Sequence, residues 1–600
     1  MGRFPARMPP WLAGPCAITV EVQRLAASSV NENIRYEPED NPPAPVAIGV
    51  GFQAAALTLA PVAITVVIVS RIAGQPDGYI SWAVFAALLV SGITTIIQAV
   101  RLWRIGAGHV LLMGTSGAFI AVCVAALVQG GPALMASLIV LSSLFQFLMA
   151  ARLSLLRRIF TPVVTGTVIM LIAATVMPIV FDTLDDVPEG TATAAAPVAA
   201  LVTIVVVAAL VLRGPPSLRL WSPLIGIVLG CAVAAPFGMY DVQTVLDAPW
   251  VGVPFGSWPG FEFTPGVEFW ALLPAFAMVT LVGAIETIGD GVAIQRVSRR
   301  RPRATDFRVV QGALNADGVG NLFSGLLGTV PNTTYSSSIA LAEITGVAAR
   351  RVGVAIGVIF ILVAFFPKIA ALFIAIPGPV AAAYVTVLLG LLFVQGMKIV
   401  IDDGIDHRKA AVVGLAFWIG TGFQNQWIFP DLLGEGFVGV LLGNGMTAGA
   451  LVAIIMIVFL EATRPRRRRL QIRLNNEALP ELDKFLRAFA VRAGWNQASQ
   501  DRLASAGEET LAVLMQTSRE DIRLSLTVTA TVDGGSAEVE FVASLEGENV
   551  EDYMAHLSSL PPAPNEYEVS FRLLLFYASS VHHQKYHDVD IITVTVEGSR

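Results

Sequence analysis

Charge is what this 600-residue sequence has least of. Asp, Glu, Lys and Arg together make up 14% of it, against roughly 25% in soluble domains, while 55% is hydrophobic and the mean hydropathy is +0.68. That balance excludes a wholly soluble protein. Cysteine is scarce as well: Cys16, Cys123 and Cys231 lie far apart with no CxxC spacing, which excludes a disulfide framework and gives no metal-ligand pattern. No cleavable signal peptide is legible, because the apolar patch near 9–20 is broken by Pro9, Pro10 and Pro15 and followed by Glu21 and Arg24. Residues 1–45 read instead as a mostly disordered cytoplasmic leader. The net charge of -6 is small and unevenly placed, with the basic residues crowded into short loops, so it says nothing about nucleic acid; no nucleic-acid partner is expected.

What the sequence has is long apolar runs. A helix crossing a bilayer needs about 20 mostly apolar residues, and such runs fall near 47–70, 80–100, 108–129, 132–150, 159–181, 196–212, 221–238, 268–294, 349–367, 371–397, 410–429 and 440–461. Two further segments, 309–328 and 331–346, are apolar but crowded with Gly, Ser, Thr and Asn. Counting them gives fourteen spans. Lys and Arg favour cytoplasmic loops, and here they follow the even-numbered spans: Arg101 and Arg104, then Arg152, Arg157 and Arg158, then RVSRRRPR (296–303), Arg350 and Arg351, and RPRRRR (464–469). The acidic FDTLDDVPEG (181–190) follows an odd-numbered span. Both termini are thereby expected in the cytoplasm.

Fourteen spans divide into two sevens, and because seven is odd the halves would be inverted repeats. The third span of each half is irregular: MGTSGAFIAVCVAAL from Met113, and GTVPNTTYSSSIALAEITG from Gly328. Interrupted segments at matching places point to a transporter's binding site. Their extended stretches leave backbone N–H and C=O groups that must pair with each other or face a polar cavity. Half-helices starting near Gly117 and Ser337 would aim their N-termini at that cavity.

Into the same region the sequence puts carboxylates. Glu286 and Asp290, in LVGAIETIGDGVAIQ (281–295), are four apart and share one helix face. Intramembrane acids are costly and are site candidates by default; the alternative is hydrogen bonding that holds helices together. Asp317, in NADGVGN, is a third such acid, and Gln53, in GVGFQAAAL, is a neutral polar candidate. Glu343 is expected to pair with Arg350 and Arg351.

The block ETIGD, followed by ADGVGNLFSGLLGTVPNTTYSSSIALAEITGVAARRVG, resembles the nucleobase–ascorbate transporter family, the uracil and xanthine permeases. GFQ on span one, GTSGAFI on span three and FTPVVTGTVIMLI on span five support the resemblance, which covers about residues 36–465. It implies an all-α fold of fourteen spans, a core of spans one to four and eight to eleven working against a gate of the rest, and a homodimer. It also implies that Glu286 binds the ring N–H groups of a base, that Asp290 and Asp317 serve proton coupling, and that Ser116, Gly117, Ser336 and Ser337 complete the pocket. The sequence departs from the family's span-ten signature: Ser337 stands where Gln or Glu is usual, Ser338 replaces Asn and Ala340 replaces Gly. A serine cannot make the bidentate contact of an amide or carboxylate, so the pocket should be wider, favouring a larger purine-like ligand, or a different ligand altogether, over uracil.

Past residue 470 the pattern changes to LPELDKFLRAFAVRAG, DRLASAGEETLAVLMQ, IRLSLTVTATV, SAEVEFVASLEG and VDIITVTVEG, a soluble cytoplasmic α/β domain over 470–600 following a membrane domain over 46–463. Its RLASAGEETLAVLMQ helix faintly resembles that of histidine-kinase-type ATPase domains, but Val513 stands four residues after Glu509 where a metal-binding Asn belongs, and no DxGxG follows. The tract VHHQKYHD (581–588) reads as a solvated loop. The expected function is proton-coupled symport of a nucleobase, purine-type such as xanthine or urate, across a bacterial inner membrane by an elevator movement. No enzyme activity, cofactor or metal is expected, with the proton as coupling ion. The alternatives are an anion carrier of the sulfate-permease type, and a membrane sensor of a heterocycle signalling through the C-terminal domain.

Overall fold

The computed structural model describes residues 33–151, 161–262, 266–301, 303–402, 404–430, 437–463, 468–475, 477–517, 525–533, 535–543, 566–587 and 589–599. The expected leader up to residue 32, the basic residues Arg152, Arg157 and Arg158, and residues 464–467 of RPRRRR lie outside them. The described residues form two units. One comprises the residues from 33 to the end of the last apolar helix, apart from Arg299–Arg308; that segment groups with the residues from 468 onward.

The first unit is helical. Its elements are α1 (Ala44–Ile72), α2 (Asp77–Val100), β1 (Leu112–Thr115), α3 (Ile120–Ala151), α4 (Pro162–Asp182), α5 (Ala195–Arg213), α6 (Pro216–Ala234), the short α7 (Val242–Asp247) and α8 (Val267–Val297). They continue with α9 (Phe307–Leu327), β2 (Asn332–Tyr335), α10 (Ser337–Thr345), α11 (Arg350–Ala364), α12 (Pro367–Ile374), α13 (Gly378–Asp402), α14 (His407–Gln424), α15 (Phe437–Gly443) and α16 (Gly445–Thr463). Among the described residues seven helices are long and apolar enough to cross a membrane, or eight if α11 and α12, bent by 82° at their junction, count as one. Trp221–Phe237 and Gly445–Leu460 are shorter apolar helices.

Local sequence accounts for the ends. Proline at the first helical turn, where its missing N–H costs nothing, starts α4, α6 and α12. Inside α3, Gly131 takes φ 74° and Pro132 supplies no N–H, so the ladder breaks between two arms that match the expected spans three and four. The expected span 371–397 begins later than its hydropathy suggests: α12 is a separate short helix, and the long α13 starts at Gly378 after Pro377. Asp406 caps α14 by accepting from the N–H groups of Lys409 and Arg408, which holds its carboxyl below the usual carboxylate range. The main core cluster packs small, branched and aromatic side chains, among them Val62, Leu88, Val122, Phe276, Ile356 and Val385, and a smaller one gathers Leu111, Ile294, Val309 and Ala313.

The second unit is an α/β fold. Strands β3 (Arg468–Arg473), β4 (Ser525–Asp533), β5 (Ser536–Ala543), β6 (Ser580–Lys585) and β7 (Asp590–Glu597) form an antiparallel sheet in the order β3-β4-β5-β7-β6. Helices α17 (Ala478–Arg492), α18 (Gln497–Thr517) and α19 (Glu566–Tyr577) bring Leu486, Leu514 and Leu574 into a core shared with Val528, Phe541 and Val594. Here the solvated-loop reading of VHHQKYHD is corrected. Residues Ser580–Lys585 are an edge strand whose alternation buries His583 and Lys585, and Lys585 lies opposite Asp590 with its Nζ 3.9 Å from Asp590 Oδ2. A facing counter-charge is what lets polar residues occupy inward positions, and pattern reading misses it because the partner comes from the next strand.

Candidate functional site

The two irregular segments meet. β1 and β2 pair antiparallel, with Leu112 opposite Tyr335, Met113 opposite Thr334, Gly114 opposite Thr333 and Thr115 opposite Asn332. Each strand thereby supplies backbone partners the other lacks, as an extended segment inside an apolar bundle requires. The ladder is extended by Ser116 N–H donating to Pro331 O at 2.8 Å, and is tied down where Met113 N–H donates to Thr95 Oγ1 and Thr115 Oγ1 donates to Val62 O. Tyr335 folds across the pair. Its hydroxyl donates to Thr115 O at 2.8 Å, and a Cβ on Gly114 would lie 2.5 Å from its ring, so the absence of a side chain at 114 is what admits it. A short helical turn (Gly117–Phe119) leads from β1 into α3, and α10 starts at Ser337 straight after β2.

Beside this ladder runs α8, and its carboxylates have separate environments. Asp290 is 5% exposed and is gripped from β2 and the start of α10: Thr334 Oγ1 donates to one oxygen at 2.8 Å and Ser336 Oγ to the other at 2.7 Å. Asp317, on α9, is fully buried. Its Oδ2 accepts from Gln146 Nε2 at 2.7 Å and from Thr287 Oγ1 at 2.9 Å, while its Oδ1 has no hydrogen-bond partner among the described residues. Glu286 is half-buried on α8, within electrostatic reach of Asp290, Asp317 and the Tyr335 phenol, and among the described residues no side chain donates to it. Among the described residues it is therefore the one of the three acids that accepts no side-chain hydrogen bond.

The remaining sequence candidates are placed as follows. Ser116 and Ser337 each present a hydroxyl that is buried and, among the described residues, without a hydrogen-bond partner. Ser336 is engaged with Asp290, and Gly117 packs near Leu388 of α13. Gln53 is half-buried on α1, and no hydrogen bond links it to Glu286, Asp290 or Asp317. The expected pairing of Glu343 with Arg350 is corrected: Glu343 is exposed, whereas Arg350 donates to Gly108 O at 2.7 Å and lies 3.8 Å from Glu39. The sequence places these two about two helical turns apart, but Gly346 ends α10 in a left-handed conformation and turns the chain away.

With this geometry in view, comparison with known proteins is specific. The profile of the xanthine/uracil permeases, a permease family, matches residues 46–427, more than half of the chain. The chain belongs to that family, the nucleobase–ascorbate transporters. This permease is 28% identical over 449 residues to the xanthine permease XanP of Escherichia coli (strain K12), covering 72% of this chain and 95% of that one. It is 28% identical over 400 residues to xanthine permease XanQ of the same organism, covering 63% and 84%. It is 26% identical over 385 residues to the nucleobase transporter PlUacP of Paenibacillus larvae subsp. larvae (strain NRRL B-3650 / LMG 16245), covering 63% and 86%. Among solved structures it is similar to the murine Slc26a9 anion transporter in the inward-facing state, with TM-score 0.48, 12% identity, and 72% of this chain and 71% of that one covered. As a member of the permease family with at least seven membrane-length apolar helices, it is a multi-pass membrane transport protein.

Sequence reading of the permease missed the donors. Thr287, Thr334, Tyr335, Gln146 and Asn321 all hydrogen-bond at the site, yet none is charged. One signal was available: Gln146 is a lone amide in the apolar run SSLFQFLMA, and a buried amide in a span demands a partner.

Proposed function

We propose that this permease carries a nucleobase, purine-type such as xanthine or urate, inward by proton-coupled symport. The reading rests on one observation above all: the Glu286 carboxyl is half-buried beside the β1–β2 crossing and, among the described residues, has no hydrogen-bond donor. Ring N–H groups of a purine are donors of the kind it lacks. The hydroxyls of Ser116 and Ser337 are left for exocyclic carbonyls. The names of the relatives, two xanthine permeases and a nucleobase transporter, agree with this chemistry. Asp290 and Asp317, buried and close to Glu286, are the proposed proton-coupling groups. The fourteen-span, two-sevens arrangement, with an elevator movement of core against gate, belongs to the same proposal, as do a homodimer, a bacterial inner-membrane location and cytoplasmic termini.

An anion carrier is the second reading, favoured by the two helical segments that begin at Gly117 and Ser337. Glu286 argues against it, since an acid with no cationic partner among the described residues offers an anion no counter-charge. Uptake of radiolabelled xanthine, urate, uracil and sulfate by cells expressing the wild type and Glu286→Gln separates the two. The expected result is heterocycle uptake that the substitution abolishes without loss of protein from the membrane. Sulfate uptake, or heterocycle uptake that survives the substitution unchanged, overturns the reading.

A further inference from the structure

We propose that Gln146 is a positioning residue for transport, acting through Asp317 and through the crossing strand β2 at once. It sits in the second arm of α3 and is fully buried. Its Nε2 donates to Asp317 Oδ2 at 2.7 Å, and its Oε1 accepts from Asn321 Nδ2 at 2.7 Å. Asn321 Oδ1 in turn accepts from the backbone N–H of Asn332 at 2.7 Å, the first residue of β2 and the partner of Thr115 in the ladder.

This chain of amides can run in only one sense. A backbone N–H can only donate, so Asn321 must turn its carbonyl to Asn332 and its NH2 to Gln146. Gln146 must then turn its own carbonyl to Asn321 and its NH2 to Asp317. The chain therefore ends on a carboxylate oxygen that can only accept. Thr287, from the Glu286 helix, donates to that same oxygen at 2.9 Å. The two oxygens of Asp317 are thus made unlike: Oδ2 is held as an acceptor by donors from α3 and α8, which leaves a proton to Oδ1, an atom with no hydrogen-bond partner among the described residues. Gln146 sets this difference and passes the position of Asp317 to the strand that carries Thr334, the donor to Asp290. It touches none of the atoms proposed to meet cargo.

A plain structural role would make Gln146 interhelical glue, important for folding and indifferent to turnover. The test uses the full chain with Gln146→Met, which keeps volume and removes both hydrogen bonds, together with Asp317→Asn and the double variant. Xanthine uptake is measured per folded transporter, so this arm rests on the proposed function. Gln146→Met is expected to lower the maximal rate roughly ten- to a hundredfold, as loss of a hydrogen bond to a carboxylate does, with KM changed much less. In the Asp317→Asn background it should cost nothing further, because both changes disable one unit. A normal rate per folded molecule, or losses that multiply, overturns the proposal. If the wild type takes up no heterocycle, the functional reading fails and infrared difference spectroscopy of the purified protein decides this one. The carboxyl signal of Asp317, identified by its loss in Asp317→Asn, is expected to shift in Gln146→Met; an unshifted signal overturns the inference.

Discussion

At the residue scale the carboxylates divide by what their neighbours donate. Among the described residues, Asp290 and Asp317 each accept two side-chain hydrogen bonds and Glu286 accepts none. Thr334→Val and Ser336→Ala each remove one donor from a buried acceptor, so each should cost about 1–3 kcal/mol of stability. The check is thermal unfolding of the purified protein. Because both donors serve one carboxylate, their effects should fail to add in the double variant, and fully additive losses would mean that Asp290 is not what they share. The acids themselves were legible in the sequence, since each interrupts an apolar run that hydropathy makes obvious. Their donors were not, because threonine, serine and glutamine are unremarkable in a span until a tertiary neighbour gives them a partner. Asp290 illustrates the limit: spacing puts it on the face of Glu286, yet Ser336 and Thr334, more than forty positions later, decide what it can do.

At the scale of elements, the irregular segments were legible from their Gly, Ser, Thr and Asn content, and the need for backbone partners pointed to their meeting. The register was not legible: a four-residue ladder carries too short a pattern to fix pairing, and what fixes it is the fit of Tyr335 over Gly114. Gly114→Ala should displace that ring, break its bond to Thr115 O and sharply lower uptake, with overpacking costing about 1–3 kcal/mol. An unchanged melting temperature with normal uptake would show that Tyr335 has room to spare. Close helix approaches repeat the theme. A Cβ on Gly92 of α2 would lie 2.6 Å from Gly357 O of α11, and one on Gly357 would lie 2.4 Å from Gly92 O. Gly325 of α9 approaches the second arm of α3 in the same way, with Val140 N 2.8 Å from its added Cβ. Numbered as fourteen spans, these contacts join span two to eleven and span nine to four, each the other's image when seven is added or subtracted. That correspondence supports the inverted-repeat proposal with packing rather than hydropathy. Gly357→Val should therefore remove the folded permease from membranes, measured by detergent-solubilised monodisperse yield, and Gly325→Val should do the same.

At the scale of the whole molecule the question is whether the tail is a separate folding unit. Its helices and strands close a core of their own, and the strands β4, β5 and β7 were legible from alternation. Strand β6 was hidden by its polar residues, because the physical reason for burying them is the Asp590 carboxylate on β7. That carboxylate is 3% exposed, with Lys585 Nζ at 3.9 Å and His583 Nε2 at 3.7 Å. Removing one member of a buried charge pair costs about 3–5 kcal/mol, since the other is left in a low-dielectric interior. Asp590→Ala should accordingly make the tail of the full-length protein open to protease at a temperature lower by roughly 10 °C or more. If the units fold independently, heterocycle-dependent thermal stabilisation of the membrane unit should be unchanged in the same sample, because the ligand acts only on the unit that binds it. Arg299–Arg308 sharpens the test. This segment groups with the tail, its Phe307 ring 5.1 Å from that of Tyr586, although it joins α8, which carries Glu286, to α9, which carries Asp317. A tail that loosens and takes ligand stabilisation with it would show that the segment transmits the state of one unit to the other; cleavage of the tail with ligand stabilisation intact would show that it is only a connection.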